Sequence, residues 1–180
     1  MKFENTSKAY YLNKYTYVNL RWIGIIGQFV TINSVKFIFE FEFNFILANL
    51  IVLLGAVSNI FLIFFFKKIQ LSNKASLNFL IIDIFQLSFL LYLTGGTINP
   101  FSIFLIIPSI FASNSLNIKT NILLISLTII SIVFLAFFHE ELPSPLDQYI
   151  FNKYYYYALP TALIIALLFL SFFAITFGNE

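Results

Sequence analysis

The chain has 180 residues, 60% of them hydrophobic and only 10% charged, with a net charge of +2 and a mean hydropathy of +0.91. A water-soluble domain carries roughly 25% charged residues, so this composition excludes a soluble enzyme or a nucleic-acid-binding domain, and a bilayer must supply most of the solvent. The absence of cysteine excludes disulfides, thiolate metal sites and thiol redox chemistry within the chain.

At roughly 20 residues per crossing, the length accommodates six transmembrane helices. Residues 1–19 are mixed polar and aromatic and include Lys2, Lys8 and Lys14. No apolar stretch with a small-residue cleavage site follows Met1, so no signal peptide is expected. The first span is predicted over 20–39 and contains Arg21, Gln28 and Lys36, with the two basic residues near its ends. Arg21 is expected there as a topology anchor reaching the headgroups. The second span, 45–66, is uncharged and stops at Lys67 and Lys68, which need no partner beyond anionic lipid. The third, 77–94, contains Asp83 and stops at Gly95 and Gly96. The fourth, 101–116, carries Pro108, expected to kink it. The fifth, 121–138, stops at His139, Glu140 and Glu141; the sixth, 154–177, opens on a tyrosine run at 154–157.

Charge placement predicts the orientation. With six spans both termini share one side. That side collects Lys2, Lys8, Lys14, Arg21, Lys67, Lys68, Lys74 and Lys119, whereas the other has only Lys36 and Lys153. Both termini are therefore expected in the cytoplasm, with loops 40–44, 95–100 and 139–153 facing outward. Trp22 and the 154–157 tyrosines suit interfacial aromatic belts. The fold class is an all-α integral membrane protein, a bundle of six transmembrane helices. Residues 178–180 form a very short cytoplasmic end, as expected of a chain truncated after its last span.

The turn between the third and fourth spans carries the most chemistry. Gly95 and Gly96 can adopt positive φ and end a helix. Asn99 is a good N-cap for the next helix, and Pro100 falls at the first helical position, where its missing N–H costs nothing. A capped tight turn accounts for these residues by itself. They also suit a small headgroup at the membrane's outer edge. Bare glycine backbone offers N–H donors, the Asn99 amide a polar contact, and Phe101 an aromatic face. A quinone, with two carbonyls, a flat ring and an apolar tail, needs such donors and such a surface.

The run Gly95-Gly96-x-x-Asn99-Pro100-Phe101 resembles the loop between the third and fourth spans in the sensor domain of the RegB/PrrB family of redox-responsive histidine kinases. The flanks are similar too: Asp83, Gln86 and the Leu-Tyr-Leu-Thr run before the glycines, Leu20-Arg21-Trp22 with Gly27-Gln28, the Pro108 region, and His139 with Leu142-Pro143. The resemblance implies a membrane redox sensor that binds ubiquinone through Gly95, Gly96, Asn99, Pro100 and Phe101, acts as a homodimer in a bacterial inner membrane, and reports to a kinase core and its response regulator. That core is expected to be missing here, since nothing after Phe177 supplies the phosphoacceptor helices or the ATP-binding domain. No catalytic residue and no metal site are expected in this chain.

The remaining polar residues have plainer roles. His139 with Glu140 and Glu141 is expected to be interfacial rather than a metal or proton site. Asp83, the lone acid within a span, is a functional suspect, with a polar helix contact nearly as good an account. Gln28, Asn49, Ser58, Asn59 and Gln86 are expected to tie helices together by hydrogen bonds. The alternative classes fare worse. A small transporter or channel component would want charged groups lining a midplane path, and a membrane transferase would want acids or histidines clustered toward one leaflet.

Overall fold

A computed structural model describes residues 12–141 and 153–177. The start of the N-terminal segment, the Leu142-Pro143 and Asp147 loop, and residues 178–180 lie outside the described residues. Among the described residues there are six α-helices: α1 Lys14–Phe37, α2 Phe45–Phe65, α3 Asn73–Tyr92, α4 Ile107–Ser115, α5 Ile118–Phe137 and α6 Lys153–Phe177. Three of them, α2, α3 and α5, are long and apolar enough to cross a membrane, marking this as a membrane protein.

Capping residues set where the helices begin. Asn44 accepts from the Leu47 amide, Ser72 from Ala75 and Asn117 from Thr120. Each satisfies an amide that the helix itself leaves unpaired. Helix α3 thus starts at Asn73 and α5 at Ile118, ahead of the apolar runs at 77 and 121. The first helix starts earliest of all relative to its apolar run. Asn13 caps it, and Leu12–Asn13 (β1) pairs antiparallel with Gln70–Leu71 (β2). Lys14 then donates its Nζ to the carbonyls of Ile63 and Phe66, so the start of α1 serves orphan carbonyls at the end of α2.

The fourth predicted span divides into two geometries. Pro100–Ile106 is 3-10 helix, and only Ile107–Ser115 is α. Pro108 supplies the reason. In an α-helix the Phe104 carbonyl would accept from residue 108, but proline has no N–H. The Ile107 amide takes that carbonyl instead, in the tighter i→i+3 pattern. The 3-10 rise is larger, so these 7 and 9 residues extend about 27 Å. Pro108 therefore marks a change of helix type.

Helix α3 sits at the centre. Its Leu80, Ile84 and Leu91 pack with Leu105, Leu124, Ile132, Leu135 and Leu167 in the main core. A second cluster joins Ile25 and Ile32 of α1 to Ala48, Ile51 and Val52 of α2 and to Leu90 of α3. The outer surface stays apolar, with Phe64, Phe65, Ile130 and Phe137 exposed, while Asn59, Ser109 and Thr128 are buried. Ser109 of α4 and Thr128 of α5 share a 2.8 Å hydrogen bond. Apolar side chains facing out and paired polar groups facing in suit lipid as solvent.

Asn73 pins the α4–α5 turn to the start of α3, accepting from the Asn117 amide and donating to Thr120 Oγ1. Replacing the Asn117 cap with alanine is expected to cost about 1 kcal/mol, read as a lowered midpoint in denaturant unfolding of the purified protein, with helix content retained.

Candidate functional site

The 95–101 loop opens on two left-handed glycines and is braced from behind. Gly95 has φ +94° and Gly96 φ +60°, both in the left-handed region where a β-carbon is penalised. A β-carbon on Gly96 would also fall 2.6 Å from His139 Cγ and 2.6 Å from the Leu135 carbonyl. Glycine is thus required there twice over. His139 is half-buried behind the loop, with Nδ1 donating to the Leu135 carbonyl at 2.9 Å, and the Glu140 amide donates to the Tyr92 carbonyl at 2.8 Å. The end of α5 therefore fixes both the end of α3 and the start of the loop. Nothing local to His139 signals this role, because its contact lies across 43 residues of chain.

Asn99 caps the 3-10 helix through Oδ1, which accepts from the Phe101 amide at 2.9 Å. Its Nδ2 donates to both the carbonyl and the hydroxyl of Thr94, at 2.9 and 2.8 Å. Both amide protons are therefore engaged inside the loop, so Asn99 acts by holding its shape. Thr97 is buried, and its carbonyl accepts from Ser102 Oγ. Pro100 and Phe101 are exposed, and the Phe101 ring packs beside Phe104, centroids 5.8 Å apart.

The loop stands at one mouth of a cleft of about 1930 Å³. Leu80, Asp83, Leu87, Leu90 and Leu91, one face of α3 at helical spacing, form its floor, and Thr94 extends it past the helix end. Helix α1 makes one wall; the 3-10 segment, α4 and α6 make the other. All of Gly95, Asn99, Pro100 and Phe101 line it, whereas Gly96 is turned toward His139.

At the opposite end lies a buried charge cluster. Arg21 is 7% exposed and does not reach out to headgroups as an anchor would. Its guanidinium lies 2.8 Å from Asp83 Oδ1, and Nε donates to the same oxygen at 2.9 Å. Nη2 donates to Ser58 Oγ and Nη1 to Asn59 Oδ1, while Tyr17 donates its hydroxyl to Asp83 Oδ2. The aromatic faces of Tyr17 and Phe79 flank the cation. The expected helix ties are present as well. Gln86 Nε2 donates to Gln28 Oε1 at 3.0 Å, and Asn33 Nδ2 approaches Asn49 Oδ1 at 3.4 Å. Asn59 donates to the Val18 carbonyl.

Comparison with known proteins yields one informative match. The chain is similar to a protein of Cereibacter sphaeroides described as "Sensor histidine kinase RegB", with 30% identity over 128 residues. The match covers 71% of this chain and 28% of that protein, so the chain spans under a third of the relative's length. The similarity supports a relationship to RegB-like sensor kinases. No protein-family model and no solved structure matches the chain. Among the described residues no group of histidines and acids is arranged to hold a metal ion.

The charge cluster makes a sharp prediction. Arg21→Met strands the Asp83 carboxylate in the bundle and is expected to cost about 3–5 kcal/mol. Arg21→Met combined with Asp83→Leu is expected to regain most of that loss. Unfolding midpoints of the two single variants and the double variant check the coupling; additive losses would refute it.

Proposed function

We propose that this chain is the membrane redox-sensor part of a two-component sensor histidine kinase. It binds ubiquinone at the 95–101 loop and passes the redox state of the ring to a cytoplasmic kinase core. The observation that carries the reading is the Gly95-Gly96-x-x-Asn99-Pro100-Phe101 loop at the mouth of an apolar-walled cleft, in a chain similar to a sensor histidine kinase. An amphiphile whose ring meets Phe101 has its tail solvated by the cleft wall or by lipid.

In this proposal all six helices cross a bacterial inner membrane, with both termini and Lys67, Lys68, Lys74 and Lys119 in the cytoplasm. The sensor works as a homodimer, and a response regulator receives the signal through the kinase core. Signalling requires that oxidised and reduced quinone differ in affinity for two bundle arrangements. Taking a switch from 1:99 to 99:1 needs about 5.5 kcal/mol of such difference. One changed hydrogen bond supplies roughly 0.5–1.5 kcal/mol. Quinone state therefore shifts the population in part, and a dimer sums the effect of two sites.

Two measurements test the proposal. Phe101 is exposed, so Phe101→Ala is expected to leave the fold intact and weaken short-chain ubiquinone binding about 2- to 12-fold, the worth of an aromatic contact. Asn99→Ala is expected to weaken binding and also to lower stability by about 0.5–2 kcal/mol as the cap is lost. Equal binding by both variants and the parent would remove the site assignment. For orientation, single cysteines at the exposed positions Pro100 and Ser72 are expected to react with a membrane-impermeant reagent from opposite sides. Labelling of Ser72→Cys from the periplasmic face would invert the topology.

A further inference from the structure

We propose that Gln28 and Gln86 form a second hydrogen-bonding station inside the cleft, which holds a p-quinone headgroup and distinguishes its oxidised from its reduced form. This rests on the quinone reading of the loop and adds to it the residues that read redox state.

The two glutamines face each other from α1 and α3, and both line the cleft. Gln86 Nε2 donates to Gln28 Oε1 at 3.0 Å. A carboxamide has two N–H donors and an oxygen with two lone pairs. After the mutual bond the pair retains the Nε2 donors of Gln28 and the Oε1 acceptor of Gln86. Neither of these atoms has a hydrogen-bond partner among the described residues. Turning both amides over exchanges the roles, but the pair still presents a free donor beside a free acceptor.

That combination matches the chemistry of a quinone couple. The oxidised ring carries carbonyls, which only accept; the reduced ring carries hydroxyls, which also donate. A donor at Gln28 serves the first and an acceptor at Gln86 serves the second. A phospholipid ester offers acceptors alone and leaves the Gln86 oxygen without a purpose. Glycines leave room around the pair. The Gln86 amide lies against Gly55 of α2, where a β-carbon would fall 2.5 Å from Oε1. On the wall made by α1, β-carbons at Gly24 and Gly27 would meet no described atom within 4 Å, and both glycines line the cleft beside Gln28. Gln86 sits eight residues before Thr94, about 12 Å along the α3 direction. The station is therefore a deeper stop on the path that begins at Phe101.

The test uses the full chain in phosphatidylcholine nanodiscs, titrated with a short-chain ubiquinone and, anaerobically, with its quinol. Gln28→Leu is expected to weaken binding of the oxidised form about 2- to 12-fold, the worth of one hydrogen bond, and to change quinol affinity less. The oxidised-to-reduced affinity ratio therefore shifts, falling where Gln28 holds the free donor and rising where the amides are turned over. Phe101→Ala is expected to weaken both forms alike and keep the ratio. Gly27→Leu, at a position where a β-carbon meets no described atom within 4 Å, narrows the cleft and is expected to weaken both forms. If the parent chain binds neither form, the quinone reading itself falls and the station with it. If the parent binds and Phe101→Ala weakens it, but Gln28→Leu leaves the ratio unchanged, the station is overturned while the loop assignment stands.

Discussion

The ion pair between Arg21 and Asp83 is the interaction on which the arrangement of the first three helices depends. Helix α1 packs on α2 and reaches α3 through Arg21, Gln28 and a small apolar cluster. A guanidinium and a carboxylate removed from water are costly unless every lone pair and proton finds a partner. Here Ser58 and Asn59 of α2 and Tyr17 of α1 supply most of those partners, so one pair of charges ties three helices. Such a cluster is poor at adding net stability and good at fixing a single arrangement, since any slip of α1 would strand a buried charge. It holds one wall of the cleft at a set distance from its floor.

The second half of the molecule is organised differently. Leu105 of the 3-10 segment, Leu124, Ile132 and Leu135 of α5, and Leu167 of α6 pack on α3 through apolar contact. The bond between Ser109 and Thr128 is a local polar link within it. The cleft opens between this half and α1, with α3 common to both. A ligand lodged there touches both halves at once. Differential contact with two arrangements of those halves is the physical requirement for turning occupancy into a signal.

The 95–101 loop belongs to both the cleft lining and the frame. Its two left-handed glycines, the doubly bonded Asn99 amide and the His139 ring behind Gly96 specify one conformation. The 3-10 run that follows is longer than such helices usually are, and it ends where Pro108 denies Phe104 its α-helical partner. The loop thereby presents Pro100 and Phe101 on a braced support, the condition for a site to hold a ligand in a defined pose.

Much of the fold was legible along the chain. Runs of apolar residues located the helices, and Asn99 and Pro100 marked one start through chemistry confined to a few neighbours. Asn13, Ser72 and Asn117 carry the same signal ahead of the apolar runs, so hydropathy alone placed those starts late. The glycine turn was equally readable, because positive φ is a local demand. What only the tertiary structure decided involves partners distant in sequence. Arg21 looks like a headgroup anchor until Asp83, 62 residues away, is brought to it. Gly55 looks like any helical glycine until Gln86 lies across it, and His139 shows no tie to the glycine turn until Gly96 backs onto it. The cleft has no sequence signature at all, since it is the space left where α1 parts from α4 and α6. Local backbone preference and hydropathy act over a few residues and are written in order along the chain; charge pairing, close approach and empty volume exist only once the helices have met.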